Sequence, residues 1–490
     1  MTERRTTVVA VLTSLALAGA TLPLRLQAQI PAGDYAARCD SLAARMDSGV
    51  VIAFGGRTLV NDFGHFFQLP AFHYLTGYDE PDAALVMVVH GGRQHTTLFV
   101  TWLDPRTAFY YGQRADSATL ARTLGVESQS SSALPAMVDS LARTSLPFYT
   151  LADFEDADFA RADSLTRGQA FIKALMAAHP GLQVQDAHRA FVNPLRARKT
   201  PAEIALLRKA AEISSEGHRA VLVMPEPAHE YEIQAVLEST FLRLGGERPA
   251  YGSIVGSGEN GTELHYMLDR GPTRPGDLVV IDAATQYQGY AADVTRTIPV
   301  NGRFTAPQRA LYQLVRDAQA AAERNSKPGM SARAAADSSV EVRARGLAKL
   351  GLIEGIDAMY DPPGAPAGRG GGTGARQASF WMIHGISHGL GLAVHDYVQS
   401  SQSDPTYKVG DAFTIEPGIY ISSKMLDVLP DTPRNRAFIA TVRPVVARYD
   451  MTGVRIEDDY VITDKGLERM STASREIADI EAIMAKRSTK

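Results

Sequence analysis

The sequence predicts a mixed α/β (α+β) protein in two domains, a smaller one over residues 29–193 and a larger one over 200–490. Three observations predict this. The 490 residues exceed what one ordinary core holds, at roughly 100–200 residues per domain. From Gly49 onward, short β-rich runs alternate with helical periodicities. That alternation ends near Val192-Asn193-Pro194, and a strong helix start comes next at Thr200. Hydrophobic residues at 45% and charged residues at 21% give a globular balance, which excludes a disordered chain or a coiled-coil rod.

The first 28 residues form a unit of their own. Arg4 and Arg5 precede the uncharged apolar run Val8–Leu24, and Leu26-Gln27-Ala28 comes after it. A basic region, an apolar region and a small residue stand here in the order of a secretory signal. Thr13, Ser14, Gly19, Thr21 and Pro23 weaken the apolar run as a membrane-spanning helix. The expectation is therefore a cleaved signal peptide and an exported protein, periplasmic or secreted, with no stable membrane insertion afterwards. The paired arginines also admit a twin-arginine signal, but such pairs are common in ordinary signals.

Within the smaller domain, Val50–Phe54, Ala84–Val89 and Thr96–Val100 read as strands, and 132–144 and 168–178 as amphipathic helices. At the boundary, Thr200 reads as an N-cap, Pro201 as the first helical residue and Glu203 as the closing member of a capping box. A second helix is expected from His229 to Leu244. Beyond it, short strands separated by Gly, Pro and Asp are expected to run to Asp464, with a final helix over Ser474–Ala485. Asp361–Arg376, rich in Gly and Pro, reads as a solvated linker. Ser422–Asp450 shows no clear period.

Composition narrows the function classes. A net charge of −4 argues against a nucleic-acid partner. The single cysteine, Cys39, excludes an internal disulfide framework and a thiolate-only zinc site. Gly256-Ser257-Gly258-Glu259-Asn260-Gly261 matches a dinucleotide fingerprint, yet the chain runs from it to Gly271-Pro272 without a useful helix, so it reads as a glycine loop. Gly385-Ile386-Ser387-His388-Gly389 matches a nucleophile elbow. No acid followed by a histidine lies downstream in the required order, so the serine-hydrolase reading fails.

The positive signal is a set of carboxylates and imidazoles. The apolar run Leu278–Ile281 ends in Asp282, and the return strand after Gln286–Gly289 carries Asp293. A Tyr287-Gln288 turn sets the two acids opposite, and a Gln288-Gly289 turn makes them diagonal neighbours. Either register puts both on one face. Carboxylates that close need a cation or a shared proton, and a metal is the better reading. His384, His388 and His395 cluster among glycines that argue against a helical zinc motif. Glu416 ends an apolar run before Pro417, and Arg455 and Glu457 share a face of another. Four carboxylates with imidazole suit two divalent cations, roughly 3.5–4 Å apart and bridged by a hydroxide. The donors favour manganese, cobalt, iron or zinc.

Residues 200–470 resemble the metallopeptidase family with the pita-bread fold, which includes aminopeptidase P, prolidase and methionine aminopeptidase. The matching stretches are IVGSGENGTELHY (254–266), DLVVIDAATQYQGYAADVTRTIPVNG (277–302), HGISHGLGLAVHD (384–396), TIEPGIYI (414–421) and VRIEDDYVIT (454–463). RARKTPAEIALLRKA (196–210) looks like the usual entrance to that domain, and FHYLTGYDEPDAALVM (72–87) resembles the N-terminal domain of aminopeptidase P and prolidase. The resemblance implies two metals, usually manganese, on Asp282, Asp293, His388, Glu416 and Glu457, with Asp293 and Glu457 bridging. It makes Glu416 also the general acid/base. It implies that His265, His384 and His395 bind the substrate carbonyl and steady the tetrahedral intermediate, with Arg455 and Tyr420 in support. The implied reaction releases an N-terminal residue from a following proline by attack of the metal-bridging hydroxide. Its substrates are peptides with proline at the second position. A homo-oligomer, dimer or tetramer, is also expected. Prolidase, which takes only dipeptides ending in proline, is the near alternative; an inactive peptide-binding module is the remote one. Departures from the family pattern are Ala284 for a glycine, Gly389 where a tryptophan often stands, and Pro70-Ala71-Phe72 in place of Ser-Asp-Phe.

Overall fold

A computed structural model describes residues 30–58, 65–151, 167–363, 374–400 and 403–487. The expected signal segment 1–28 and the linker residues 364–373 lie outside the described residues. No helix among the described residues is long and apolar enough to cross a membrane.

The N-terminal half is built on a six-stranded sheet. Its strands are β1 (Ser48–Phe54), β2 (Ala84–His90), β3 (Arg93–Val100), β4 (Glu127–Ser130), β5 (Phe148–Thr150) and β6 (Val184–Asp186), in the order β4-β3-β2-β1-β5-β6. Alternation sorts β1 between two cores. Val50, Ile52 and Phe54 pack with Phe148, Val138 and Leu175, beneath helices Leu134–Ala142 and Arg167–Ala178. Val51 and Ala53 join the larger core on the other face, which helices Ala32–Ala43 and Pro70–Thr76 cover and which continues into the C-terminal half. A central strand buried on both faces reads as a continuous apolar run, as Val50–Phe54 does.

Helix Pro201–Val223 opens the C-terminal half with the expected capping box: Glu203 N–H donates to Thr200 Oγ1 (3.3 Å), and Thr200 N–H donates to Glu203 Oε2 (2.8 Å). Helix Glu230–Arg243 is next. Then come β7 (Arg248–Pro249), β8 (Ile254–Ser257), β9 (Leu278–Asp282), β10 (Thr285–Tyr287), β11 (Tyr290–Ala291) and β12 (Thr295–Pro299). The hairpin register is settled by its turn. Gln288 and Gly289 have φ of 48° and 80°, the two positive values of a type I′ turn. Tyr287 therefore pairs with Tyr290, and Asp282 with Thr295, so Asp282 and Asp293 are diagonal neighbours.

The expected run of short strands is interrupted by two long helices, Ala306–Asn325 and Ala332–Leu350. Their start signals are ordinary: a Thr305/Gln308 capping box, and Ser331 accepting from Ala334 N–H. Their buried faces are rich in alanine, including Ala318, Ala321, Ala322, Ala335 and Ala344, so the 3.6-residue apolar period is faint in the sequence. Remaining strands are β13 (Met359–Tyr360), β14 (Ala375–Arg376), β15 (Ala412–Ile415), β16 (Gly418–Ile421), β17 (Thr452–Arg455), β18 (Asp458–Thr463) and β19 (Gly466–Arg469). The end of the expected linker, β14, pairs with β13, the two residues just before it. The stretch 422–450 folds as helices Ser423–Asp427 and Pro433–Val446, and the last helix spans Ile477–Met484, shorter than expected.

The two long helices brace the strands that present acids. Gln319 Nε2 donates to the Ile415 and Ile456 carbonyls (3.2 and 3.4 Å) and to Asp458 Oδ2 (3.0 Å). Arg343 Nη1 donates to the Gly418 carbonyl at 3.0 Å.

The turn yields a stability prediction. Gly289→Ala places a Cβ in a left-handed position against Leu392 and should lower the thermal midpoint, at about 1 kcal/mol. Gln288→Gly relieves the same conformation and should hold or raise it. Equal losses in both melts would contradict the assigned turn.

Candidate active site

Acids arrive at a common point because each sits where a strand ends or breaks. Asp282 is the last residue of β9, and Asp293 precedes β12. Glu416 lies between β15 and β16, and Glu457 between β17 and β18. His388 and His395 come from a segment whose glycines keep it out of helix: Gly389 bridges to Asp396 and to Phe413. The result is a cavity of about 630 Å³ lined by His265, Asp282, Asp293, His384, His388, His395, Glu416, Arg455 and Glu457. The structure thus brings nine of the ten sequence-predicted residues onto one cavity wall; Tyr420 is fully buried just behind it.

The centre is tight. Asp293, His388 and Glu457 each offer a ligand atom within 4.8 Å of the others. His388 Nε2 is 3.3 Å from Asp293 Oδ2, 3.6 Å from Glu416 Oε1 and 3.7 Å from Glu457 Oε1. Its Nδ1 is 3.0 Å from the Gly389 carbonyl, which only accepts, so Nδ1 carries hydrogen and Nε2 faces the acids. Asp282 flanks this group. Arg455 Nη2 donates to its Oδ2 at 2.7 Å, and Arg455 Nη1 donates to Tyr420 Oη at 2.7 Å. Tyr420 then donates to His384 Nε2 (2.8 Å), and His384 Nδ1 donates to the Gly385 carbonyl (2.6 Å). His395 meets His388 edge-on, ring centroids 4.3 Å apart. His265 is exposed at the mouth.

Burial and charge set the protonation states. Burial, and then Asp293 and Asp282, push Glu457 well above the ordinary carboxylate range. Burial, and then Asp282, do the same to Asp293. Burial and then Glu457 lift Glu416 to about 8. Burial would also raise Asp282, but Arg455 and a hydrogen bond from Tyr251 outweigh it, and its pKa falls. Burial lowers His384 to about 3, aided by Arg455 and Arg343, so it stands neutral, with its hydrogen on Nδ1.

Whether these residues suit a metal can be tested on their own chemistry. Glu457 is 1% exposed, and its Oε1 has no hydrogen-bond partner. A buried carboxylate oxygen left bare costs roughly 1–3 kcal/mol or more. Three mutually repelling acids beside a histidine whose Nε2 faces them are a donor set short of positive charge. The residues fit divalent metal.

Three contributors were not picked out from sequence. Tyr251 Oη lies 2.5 Å from Asp282 Oδ1 and 2.7 Å from Asp293 Oδ1, tying the two acids together. Thr295 Oγ1 donates to Glu457 Oε2 at 2.7 Å. The Asp459 carboxylate accepts the Asp293 backbone N–H at 3.1 and 3.2 Å. Asp459 lies two residues from Glu457 in the sequence, a signal that could have found it; a lone tyrosine and a lone threonine carry none. Two expected departures also resolve. Gly389 is buried against Asp396 rather than on the cavity, whose wall is Leu392, Val394 and His395. Ala71 and Phe72 are buried in a helix, so that position turns no acid toward the centre.

Fold and site together define a metal-dependent hydrolase. Residues 205–464 match Metallopeptidase family M24, and residues 35–146 match Aminopeptidase P, N-terminal domain. Xaa-Pro aminopeptidase from Escherichia coli (strain K12) is 32% identical over 84% of this chain and 88% of its own length. That from Haemophilus influenzae is 32% identical over 86% and 88%. Proline aminopeptidase P II from Yersinia pestis superposes with a TM-score of 0.77 at 30% identity, covering 93% of this chain and all of that one. The chain belongs to metallopeptidase family M24, with an N-terminal domain of the aminopeptidase P type and the pita-bread fold in its C-terminal half.

Metal removal has a pH signature. In metal-free protein Glu416, at about 8 against an ordinary 4.5, holds its proton more tightly folded than unfolded. A raised carboxyl pKa costs no stability below about pH 4.5 and costs progressively more as pH climbs toward 8. The buried histidines His188, His218 and His384, lowered by burial, act oppositely, but only below about pH 6.5. Between pH 6.5 and 8 the thermal midpoint of chelator-treated protein should therefore fall. Glu416→Gln should reduce that slope, leaving the part that the raised Asp293 and Glu457 carboxyls contribute, and divalent metal should abolish it.

Proposed function

We propose that this chain is an Xaa-Pro aminopeptidase, a metal-dependent exopeptidase that releases the N-terminal residue from peptides with proline at the second position. The observation that carries the reading is the complete carboxylate and histidine set at the cavity, in a chain that matches Xaa-Pro aminopeptidases over more than four-fifths of its length.

Asp282, Asp293, His388, Glu416 and Glu457 are the residues we assign to hold two divalent ions, manganese foremost, with cobalt, zinc and iron as alternatives. Oxygen-rich donors with one imidazole favour that group. Bound there, the metals supply Lewis acidity that makes water nucleophilic near neutral pH and polarises the scissile carbonyl. The water oxygen bonds the carbonyl carbon, and its proton passes to a Glu416 Oε atom. As the C–N bond breaks, that proton goes to the proline nitrogen. One carboxylate thus serves both transfers, as base and then as acid. His265, His384 and His395 line the same cavity, and we assign them to hold the carbonyl oxygen. Arg455 neutralises Asp282 and fixes Tyr420.

The deciding assay uses the manganese-loaded chain from about residue 29, with Arg-Pro-Pro and Gly-Pro side by side. Arginine release from the tripeptide, reduced about 10²-fold or more in Glu416→Ala, is the expected result. Cleavage of Gly-Pro alone moves the assignment to prolidase. Silence on both, with two metals bound, overturns it.

Export, a mature start near residue 29, domains at 29–193 and 200–490, and a dimer or tetramer belong to the same proposal. The basic, apolar and small-residue order of residues 1–28 supports export. Mass spectrometry of the protein isolated from its host should place the N-terminus near residue 29; an intact Met1 would refute cleavage.

A further inference from the structure

The glycine-rich motif 256–261 has no part in the proposed hydrolysis, and its geometry shows what it does instead. Glu230, the first residue of its helix, is completely buried. Its Oε1 accepts the Ser257 backbone N–H at 2.8 Å and Asn260 Nδ2 at 2.9 Å. Its Oε2 accepts the Gly271 backbone N–H at 2.6 Å and Tyr266 Oη at 2.9 Å. All four donors are uncharged, and all lie in the loop 257–271. Such loops commonly gather backbone N–H groups around a phosphate. Here the anion inside the turn is the protein's own carboxylate, and a nucleotide has no vacancy to fill. Gly271 is required by the approach: a Cβ there would stand 2.8 Å from Glu230 Oε2.

His265 rides on this loop, beside Tyr266. Its ring is exposed at the cavity mouth, so its place is set by its backbone, and the backbone on both sides is tied to Glu230. The helix N-terminus adds a favourable field for that carboxylate, and Glu230 N–H donates to the Gly271 carbonyl at 3.0 Å, closing the loop onto the helix. We propose that Glu230 is a positioning residue for His265: an internal anion around which the glycine motif folds, holding that histidine over the metal-binding cavity. The inference rests on the reading of His265 as a substrate-binding residue.

A double-mutant cycle tests it, on the full manganese-loaded chain hydrolysing Arg-Pro-Pro, with kcat, KM, metal content and thermal midpoint measured for each protein. Glu230→Gln turns one acceptor into a donor facing a backbone N–H, that of Ser257 or that of Gly271. It should lower kcat/KM with the same kcat-against-KM split as His265→Ala, and leave two metals bound. In a His265→Ala background it should change kcat/KM by less than about twofold, the non-additivity of residues acting as one unit. Tyr266→Phe removes one hydroxyl and should give a smaller loss with the same split; it carries the cycle if Glu230→Gln does not fold. An undiminished effect in the His265→Ala background, or lost metal, would overturn the positioning role. A His265→Ala protein with unchanged kcat and KM would overturn the role of His265 itself, and that of Glu230 with it.

Discussion

Negative charge concentrated out of water is the constraint around which the catalytic half is organised. Asp282, Asp293, Glu457 and Asp459 are all nearly or fully buried, with Glu416 at their edge. Isolated ionised carboxylates in such a place would neutralise or force the structure open. The chain answers with fixed partners on three sides. Arg455 holds Asp282, Thr295 holds Glu457, and Tyr251 spans Asp282 and Asp293. Behind them a second layer is fully compensated: Asp458 accepts from Arg296 (2.6 Å), Arg475 (2.9 Å), Ser471 (2.6 Å) and Gln319 (3.0 Å), and its pKa falls to about 2. Adjacent acids thus divide the labour. Asp458 is neutralised by protein alone, while Glu457 keeps a bare oxygen toward the cavity.

That division explains why the site stands on strand ends rather than on a helix. Two residues apart on a strand face the same way, and a break in the ladder turns the next side chain. Arg455 and Glu457 point into the cavity, and between Glu457 and Asp458 the chain passes into β18, whose Asp458 faces Arg296. Helix Ala306–Asn325 fixes the switch from outside, since one Gln319 amide touches both Ile415 and Ile456 carbonyls. A one-residue slip there would exchange the cavity-facing and compensated acids.

Periodicity made the site residues legible because each acid interrupts an apolar run, where a charge has no ordinary reason to stand. The parity of Asp282 and Asp293 could be read without the register. The register itself could not, because Gln288 is an unusual residue for the first position of a type I′ turn and gave no hint of its positive φ. The two long helices were obscured differently. Their alanine-rich faces, as in Ala318, Ala321 and Ala322, bury small residues, so the apolar stripe that announces a helix is faint. Tyr251 escaped for a third reason: nothing local marks a residue whose role is to bond two acids more than thirty residues away.

The N-terminal half is joined to this centre by charge as well as by the shared core. Arg38 pairs with Glu203 at 3.2 Å and lies 3.4 Å from Tyr290 Oη, on the hairpin that carries both aspartates. Arg196 and Lys199, just before the capping box, reach Asp396 at 2.9 and 3.8 Å. Asp396 in turn accepts the backbone N–H groups of Leu392 and Tyr397, fixing the loop of His395. Buried ion pairs contribute little net stability, because desolvation offsets attraction, but removing one partner costs roughly 3–5 kcal/mol. Their effect is on alternatives: a docking that separates either pair strands a charge, so one arrangement of the two halves is selected. The same residues that close the capping box and adjoin the cavity-lining His395 enforce it, which makes the geometry of the cavity wall depend on the N-terminal domain being seated.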